Sequence, residues 1–205
     1  MSRDEKTKLM KRKILNAAIK EFGEYGYTKT SMNNICKHAG ISKGIIYHYF
    51  QDKDDLYLTC VKICYQTLLE YYVEHSRHMN GDIDAYMHIR MNFFKEYKYL
   101  RGLFFQVLLN TPIQLQEEIE RLKQPLTEFH HDIYLQNLSK LNLRTHMTTE
   151  KAIQYIDIMQ NAYNDYFRKE LDKSDNFEEV IKNHEEFISQ WVDYMIYGIA
   201  RKCNK

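Results

Sequence analysis

Glycine and proline are scarce in this chain, which has seven glycines and two prolines among 205 residues. Both residue types interrupt helices and mark turns, so their scarcity over this length predicts long helices. No stretch shows the alternation of apolar and polar residues that is typical of a half-buried strand. We therefore expect an all-α fold of about nine helices.

Long apolar runs are also missing, and none approaches the roughly 20 residues that a membrane-spanning helix requires. The chain starts with the charged residues Met-Ser-Arg-Asp-Glu-Lys, and no apolar segment of a secretory signal follows them. The four cysteines lack the spacing of a disulfide framework. We expect a cytoplasmic protein with reduced thiols and no membrane contact.

Support for a metal or catalytic site is weak. The pairs that come closest to metal-ligand spacing are Cys60 with Cys64, His75 with His78, and His130 with His131. No third or fourth ligand follows at a typical distance. A Gly-x-Ser-x-Gly turn and a cysteine–histidine signature are both absent from the sequence. We expect no metal, no cofactor and no enzymatic activity.

The net charge of +1 is unevenly distributed. Residues 1–50 contain 10 Lys/Arg and 4 Asp/Glu, a net +6, whereas residues 51–205 contain 19 and 24, a net −5. A basic head on an acidic body is typical of a protein that presents one end to a polyanion. The start of the first predicted helix, at about 5–25, is loaded with Arg3, Lys6, Lys8, Lys11, Arg12 and Lys13. Cations are unfavourable at a helix N-terminus, and a polyanionic neighbour would offset that cost.

Residues 30–53 have the pattern of two short helices joined by a tight corner. Ser31 is a good N-cap, and the apolar residues after it recur at the spacing of one helical face. Gly40 is free to adopt the positive φ that ends a helix. Ser42 caps a second helix, from about Lys43 to Phe50. The pattern is that of a helix-turn-helix.

The second helix of this pair has two different faces. Ile46 and Phe50 lie on one side and must face a core. The opposite side carries Gly44 and His48, flanked by Lys43, Ile45 and Tyr47. No acidic residue lies between Ser42 and Gln51. Hydrogen-bond donors, a small residue and an absence of carboxylates suit the major groove of DNA.

The same region resembles the N-terminal domain of the tetracycline-repressor (TetR) family of transcription regulators, over about residues 8 to 60. The resemblance rests on Ile14, Ala17, Ala18, Phe22, Gly26, Tyr27, Thr30, Ser31, Ile35, Ala39, Gly40, Ser42, Lys43, Gly44, Tyr47, Tyr49, Phe50, Lys53 and Leu56.

The resemblance implies roles for residues in and beside the two helices of the helix-turn-helix. Lys43 and Gly44 would meet base edges, and Tyr47 and His48 would point into the groove. Thr30 or Ser31, Tyr49 and Lys53 match positions that hold phosphates. The full predicted DNA-binding set is Thr30, Ser31, Ser42, Lys43, Gly44, Ile45, Tyr47, His48, Tyr49 and Lys53.

Beyond the predicted DNA-binding domain, residues 1–50, a regulatory and dimerisation domain covers residues 51–205. Its first helix, at about 53–78, would span close to 40 Å and join the two domains. Further helices are predicted at about 83–98, 100–110, 112–141, 150–171 and 176–202. Pro125 should kink or split the third of these.

The body is rich in aromatic residues, which the resemblance would arrange around a cavity for an apolar or aromatic ligand. The candidate ligand-binding residues are Tyr86, Arg90, Met91, Phe94, Phe104, Phe129, Tyr134, Tyr155, Met159 and Tyr163, with His88, His130 and His131 as further polar contacts.

The last two helices are apolar on more than one stripe, so both sides of each helix must be covered. The resemblance implies that they pair with their symmetry mates in a four-helix bundle. The predicted dimer residues are Tyr166, Phe167, Trp191, Met195 and Gly198.

The sequence as a whole predicts a homodimeric repressor that binds a palindromic DNA operator and is released by a small apolar or aromatic molecule. A DNA-binding factor regulated by a protein partner is the alternative. An enzyme or interaction module that kept the fold and lost DNA binding is a more distant one.

Overall fold

The computed structural model describes residues 2–79, 81–174 and 176–199. These residues form nine α-helices: α1 (Arg3–Lys29), α2 (Met32–Ala39), α3 (Lys43–Tyr49), α4 (Lys53–His75), α5 (Ile83–Glu96), α6 (Lys98–Leu109), α7 (Gln116–Leu138), α8 (Thr149–Leu171) and α9 (Phe177–Ile199). No β-strand occurs among them, and the predicted all-α fold is confirmed. None of these helices is long and apolar enough to cross a membrane.

The chain divides into two compact units. The first contains Met1–Leu68 and Phe94–Gln124, and the second contains Leu69–Phe93 and Pro125–Lys205. Helices α4, α5 and α7 contribute residues to both. The first unit therefore contains the helix-turn-helix together with α6, whereas the functional boundary at residue 50 stays a prediction.

Two glycines set the corners of the helix-turn-helix region. Gly26 interrupts α1 with φ 73° and ψ 174°, at the position where the sequence predicts the helix to close. Gly40 ends α2 with φ 56° and ψ 45°, and its N–H donates to the carbonyls of Cys36 and Lys37. A side chain would be strained in this left-handed conformation, so glycine is the residue that lets α2 stop one residue before the turn.

Apolar side chains from α1, α2 and α3 form one small core. Ile14 and Phe22 on α1, Ile35 on α2 and Ile46 on α3 are fully buried, and Phe50 is 2% exposed. The burial of Ile46 and Phe50 confirms the helical phase that the sequence predicts for α3.

Helices α1 and α6 cross at two glycines. A Cβ on Gly102 would lie 2.8 Å from the carbonyl oxygen of Gly23. A Cβ on Gly23 would lie 2.8 Å from the backbone carbonyl oxygen of Tyr99 and 3.0 Å from the backbone nitrogen of Leu103. Because these neighbours are backbone atoms, they cannot move away without shifting a whole helix. The crossing therefore holds α6 against α1 at backbone contact.

Helix α7 continues through Pro125, so the helix is not split there, and the kink that the sequence gives as the other outcome stays a prediction. Pro125 is exposed, and the turns on either side are held by the buried Ile119 and Leu126. Packing of these turns compensates for the one helical hydrogen bond that proline removes. The predicted residues 200–202 of the last helix lie outside the described part of the chain.

Substituting Gly102 with alanine should destabilise the protein by about 1–3 kcal/mol, because the added methyl group overpacks a backbone contact. Thermal unfolding measures the effect, and Gly44→Ala is the matched control. A Cβ on Gly44 would meet no atom of the described residues within 4 Å, so alanine there should raise stability by up to about 1 kcal/mol. Equal unfolding temperatures for the two variants would show that the crossing imposes no constraint.

Candidate functional site

The outer face of α3 gathers the residues that the sequence assigns to DNA. Lys43, Gly44 and His48 are exposed, and the Tyr47 side chain keeps 51% of its surface open. The His48 and Tyr49 rings pack edge to face at 5.2 Å between centroids. This face offers an ammonium group, a phenol and an imidazole as hydrogen-bond donors, and it carries no carboxylate.

Gly44 is the most informative residue on this face. Its backbone is helical with an ordinary φ, and a Cβ there would stand in open space. Glycine costs a helix about 1 kcal/mol relative to alanine, and a Cβ on Gly44 would displace no atom of the residues that the structure describes.

Lys53 lies at the first turn of α4, held by an aromatic contact. Its Nζ is 4.2 Å from the centroid of the Tyr27 ring. The Tyr27 hydroxyl donates to the Asp54 carboxylate, and its ring packs against Tyr57 at 5.0 Å. Burial lowers the pKa of the Lys53 ammonium from its ordinary value. The Tyr27 ring thus helps to fix the position of the cation.

The two residues before α2 are placed differently. Thr30 is 2% exposed, and its hydroxyl donates to the Glu21 carbonyl at 3.2 Å. Ser31 is half-buried, and its Oγ caps α2 by accepting from the Asn34 N–H at 3.2 Å. Of the two hydroxyls, only that of Ser31 lies near the surface, and it stands at the start of α2.

The remaining members of the predicted DNA set lie on or beside α3. Ser42 is exposed at the N-cap position, and its side chain makes no capping bond. Ile45 and Tyr49 are half-buried at the flanks of the helix. All the predicted residues except Thr30 therefore have side-chain or backbone surface around one short helix and its two neighbours.

The predicted ligand-binding residues are divided between the two units. Phe94 and Phe104 belong to the first unit, where their rings pack at 5.0 Å. Met91 is 40% exposed. Together with Met91, seven others lie in the second unit: Tyr86, Arg90, Phe129, Tyr134, Tyr155, Met159 and Tyr163.

Tyr72 is the centre of an aromatic cluster in the second unit, and the sequence did not single it out. Its ring is fully buried, stacks on Phe129 at 5.5 Å and lies 5.2 Å from Tyr86. His130 packs edge to face on the same ring at 5.8 Å. Tyr72 follows Tyr65 and Leu68 on the buried face of α4, and that spacing is the signal that points to it.

A buried ion pair lies in the same unit. Arg90 Nη1 donates to both oxygens of Glu185, at 2.7 and 2.8 Å, and Arg90 is 7% exposed. Burial opposes the ionisation of Glu185, yet Arg90 and His184 hold the pKa of its carboxyl below the usual range. Arg90 was predicted as a ligand contact, whereas Glu185 was missed, because a pairing between α5 and α9 has no local signature.

His184 connects the pair to the aromatic residues of α8. It is 1% exposed, and its Nε2 lies 3.2 Å from Asn164 Oδ1. The Tyr163 hydroxyl donates to the His184 carbonyl at 2.6 Å. Burial lowers the pKa of the His184 imidazole. Removing any of these partners would leave a polar group unsatisfied in an apolar interior.

A groove of about 680 Å³ runs between α8 and α9. Its lining combines residues predicted for the ligand with residues predicted for the dimer: Met159, Tyr163, Tyr166, Phe167 and Trp191. Tyr166 and Phe187, which line the groove, are 57% and 55% exposed. Other exposed large side chains of α8 and α9 are Ile158, Tyr194 and Tyr197, each at least 59% exposed.

The predicted dimer residues divide by exposure. Tyr166 and Gly198 lie at the surface and Trp191 is half-buried, with its indole N–H donating to the Met159 carbonyl. Phe167 and Met195 are 5% and 1% exposed and face the interior of their own unit.

Metal-binding and thiol chemistry have little basis in the described part of the chain. No three His, Cys, Asp or Glu side chains there are placed to hold a metal ion. Cys36, Cys60 and Cys64 are free and buried. Burial raises the pKa of the Cys64 thiol to about 12, so it stays protonated and unreactive near neutral pH.

Comparison with known proteins places residues 14–60 within the model for bacterial regulatory proteins of the tetR family. The biofilm operon icaADBC HTH-type negative transcriptional regulator IcaR of Staphylococcus aureus is 31% identical over 125 residues. That alignment covers 58% of this chain and 66% of the relative, slightly under two thirds of its length. IcaR of Staphylococcus epidermidis is 28% identical over 144 residues, covering 69% and 74%.

Solved structures share the fold at lower identity. The transcriptional regulator FadR from Bacillus subtilis, in complex with stearoyl-CoA, superposes with a TM-score of 0.63 at 15% identity. The alignment covers 92% of this chain and 98% of FadR. A TetR family transcriptional regulator from Chloroflexus aurantiacus has a TM-score of 0.57 at 18% identity, with 95% of both chains covered.

Acidification should destabilise the second unit. The pKa of His184 is lowered on folding, so the stability that its neutral form contributes is present above about pH 6.5 and is lost as the pH falls. The lowered pKa of Glu185 adds a second loss below about pH 4.5. We expect the unfolding temperature to drop between pH 7 and pH 5, by about 2–4 °C for each kcal/mol lost.

His184→Gln should flatten this dependence, and replacing the exposed His88 with glutamine should leave it unchanged. If the two variants respond to pH alike, His184 is not the group that titrates.

Proposed function

This chain belongs to the tetR family of bacterial regulatory proteins, and from that premise we propose that it represses transcription by binding a palindromic DNA operator as a homodimer. The observation that carries the DNA-binding part is Gly44, an exposed helical glycine at which a Cβ would meet no atom of the described residues within 4 Å. In a major groove, the missing side chain lets the α3 backbone approach base edges. Its neighbours supply the donors that bases and phosphates accept.

Residues on and beside α3 would contact either the bases or the phosphate backbone of the DNA. Lys43 would donate to guanine O6 and N7, and Ile45 would contact a thymine methyl group. Tyr47 and His48 would point into the groove. Ser31, Tyr49 and Lys53 would hold phosphates, which fix register without reading sequence. Because the Thr30 hydroxyl is used inside the protein, Ser31 carries the phosphate role at this end.

The homodimer would form through the outer faces of α8 and α9. Tyr166, Tyr194 and Tyr197 expose 57–62% of their surfaces there. Large exposed apolar patches are typical of interaction sites. A second copy laid against this face would cover them, together with Trp191 and Gly198. Phe167 and Met195 would support that face from within. The two-fold axis would give the operator its palindrome.

The effector would be a small apolar or aromatic molecule bound among the aromatic residues of the second unit. Tyr72, Tyr86 and Tyr134 offer rings and hydroxyls in a buried setting, beside the charge of Arg90. Such a mixture of apolar walls and a few polar groups is typical of ligand sites. The alternative is a protein partner that binds an outer surface of this unit.

The effector would act by binding one of two conformations of the protein more tightly than the other. It can shift that equilibrium only by the difference between its affinities for the two shapes. Helices α4, α5 and α7 continue from one unit into the other. A change around Tyr72 on α4 or Arg90 on α5 would therefore alter helices that also belong to the DNA-binding unit.

Replacing Gly44 with alanine should weaken DNA binding at least about tenfold while leaving thermal stability equal or higher. The measurement is fluorescence anisotropy on a duplex that the wild-type protein selects from a random pool. A loss of binding without a loss of stability is what a contact outside the chain predicts. Unchanged affinity would rule out close approach at this residue.

Lys43→Ala and Lys53→Ala should separate base reading from phosphate contact. Lys43→Ala should weaken binding to the selected duplex by about 1–3 kcal/mol and leave binding to random DNA nearly unchanged. Lys53→Ala should weaken both alike and reduce the dependence of log K on log salt by about 1. Equal losses on random DNA for both variants would contradict these roles.

A further inference from the structure

A glutamate lies in the interior of the helix-turn-helix region. Glu21 belongs to α1, is 1% exposed and directly precedes the fully buried Phe22. A buried carboxylate is strongly disfavoured unless a charged or hydrogen-bonding partner offsets the loss of water. The partners of Glu21 therefore indicate its role in the region of α1, α2 and α3, here called the head.

The carboxylate of Glu21 faces a histidine of the neighbouring helix. Its Oε2 lies 2.8 Å from Nδ1 of His38, in the last turn of α2. Apart from this imidazole, no group of the described residues donates to that oxygen. No lysine or arginine in the described part of the chain forms an ion pair with Glu21. The buried acid is thus matched by an imidazole that is 48% exposed and can exchange protons with solvent.

The backbone of Glu21 holds the other end of α2. The Thr30 hydroxyl donates to the Glu21 carbonyl at 3.2 Å, and Thr30 stands two residues before α2 begins at Met32. His38 is the last residue but one of the same helix. One residue of α1 therefore contacts both ends of α2, at points about two helical turns apart.

The other charges near α2 do not replace Glu21. The charged and titratable groups that lie near the pair or near α2 are Lys13, Glu24 and Tyr25 of α1, Lys37 of α2 and Lys43 of α3. The cations among them oppose a positive charge on His38. Glu21 favours that charge, and so does the negative C-terminal end of α2.

An ion pair inside a helix contact is seldom there for stability alone, since apolar side chains of similar volume often stabilise a fold as well or better. The pair does favour one arrangement of its helices, because any other arrangement leaves a buried charge without a partner. Histidine also changes its charge between about pH 5 and 8. The attraction between Glu21 and His38 is therefore strongest with the imidazole protonated, and it weakens when the imidazole loses its proton.

We propose that Glu21 is a positioning residue that sets α2 for DNA binding, and that its contact with His38 makes this binding stronger at pH 6 than at pH 8. The proposal rests on the proposed function, because it concerns how the same head fits the DNA. Glu21 is buried and would touch no DNA itself. It would act through Ser31 at the start of α2 and through the Gly40 corner that leads to α3. As the pH rises, the contact at the end of α2 weakens, fewer heads have the binding arrangement, and the apparent affinity falls with that fraction.

Four proteins test the proposal: the wild type, Glu21→Gln, His38→Gln and the double variant. Glutamine keeps the size of glutamate, and the Glu21 carbonyl that Thr30 uses is unchanged. His38 is exposed, so His38→Gln leaves the core intact even if Glu21→Gln disturbs it. Glu24→Gln is the matched control, since it removes an exposed carboxylate from the same helix. Affinity for a duplex selected by the wild type is measured at pH 6 and pH 8 at one ionic strength.

The ratio of Kd at pH 8 to Kd at pH 6 is the decisive quantity. In the wild type it should exceed the ratio of either single variant by about two- to fivefold, the effect of an ion pair with one exposed partner. The double variant should match the single ones, and Glu24→Gln should match the wild type. His48 and His184 are present in all these proteins, so their own titration cancels between ratios. A general loss of stability would weaken binding at both pH values and leave the ratio unchanged.

Equal ratios in the wild type and the Glu21 and His38 variants would overturn the proposal, and so would an equal fall of the ratio in Glu24→Gln, which would show an effect of net charge. Unfolding temperatures of the four proteins without DNA give a second readout, in which the coupling of Glu21 to His38 should be larger at pH 6 than at pH 8. Such coupling without any change in the DNA ratio would overturn the positioning role and leave the proposed function intact. If the wild-type protein selects no duplex at all, the proposed function fails and the positioning role fails with it.

Discussion

The placement of α3 depends on the burial of Ile46 and Phe50. A helix of seven residues has no independent stability in water, so its position is set by the core that it shares with α1 and α2. Both side chains are at most 2% exposed. Because a helix fixes the angles between its residues, burying these two turns Gly44 and His48 outward. The exposed chemistry of α3 is thus a consequence of its packing.

The core that α3 shares with α1 and α2 belongs to a larger unit. The Gly23–Gly102 crossing holds α6 against α1 at backbone contact. The Tyr27 ring joins the end of α1 to the start of α4 and positions the Lys53 ammonium beside it. The residues that would meet DNA therefore belong to a unit that extends well beyond the helix-turn-helix. The aromatic cluster and the Arg90–Glu185 pair of the second unit have a different character, since they combine charge with deep burial.

Local features of this protein are visible in its sequence, and long-range ones are not. The Ser31 cap, the Gly40 turn and the phase of α3 depend on neighbours within one or two turns, and all three are found as predicted. Ser42 stands at the predicted N-cap position of α3, but its side chain makes no capping bond. The residues predicted to bind the ligand are mostly aromatic and lie on separate helices. The structure places Phe94 and Phe104 in one unit and Tyr86 in the other.

The missed residues have a common physical reason. Glu185 acquires its importance only from an arginine 95 residues away. Gly102 acquires its importance only from the backbone of another helix. Thr30 matched a family position, yet it is 2% exposed and its hydroxyl donates to the Glu21 carbonyl, a contact nine residues away in sequence. Helix α7 continues through Pro125 because tertiary packing of its turns outweighs the local preference of proline to break a helix.

The central claim is that two copies of α3 are held at a fixed separation to read two halves of one operator. The most direct test is the affinity of the protein for a selected palindrome with one base pair inserted between its half-sites. That insertion moves one half-site by about 3.4 Å and turns it by roughly 36° around the helix axis. Our account predicts a loss of affinity of about 100-fold, toward the non-specific level. An affinity unchanged by the insertion would contradict it.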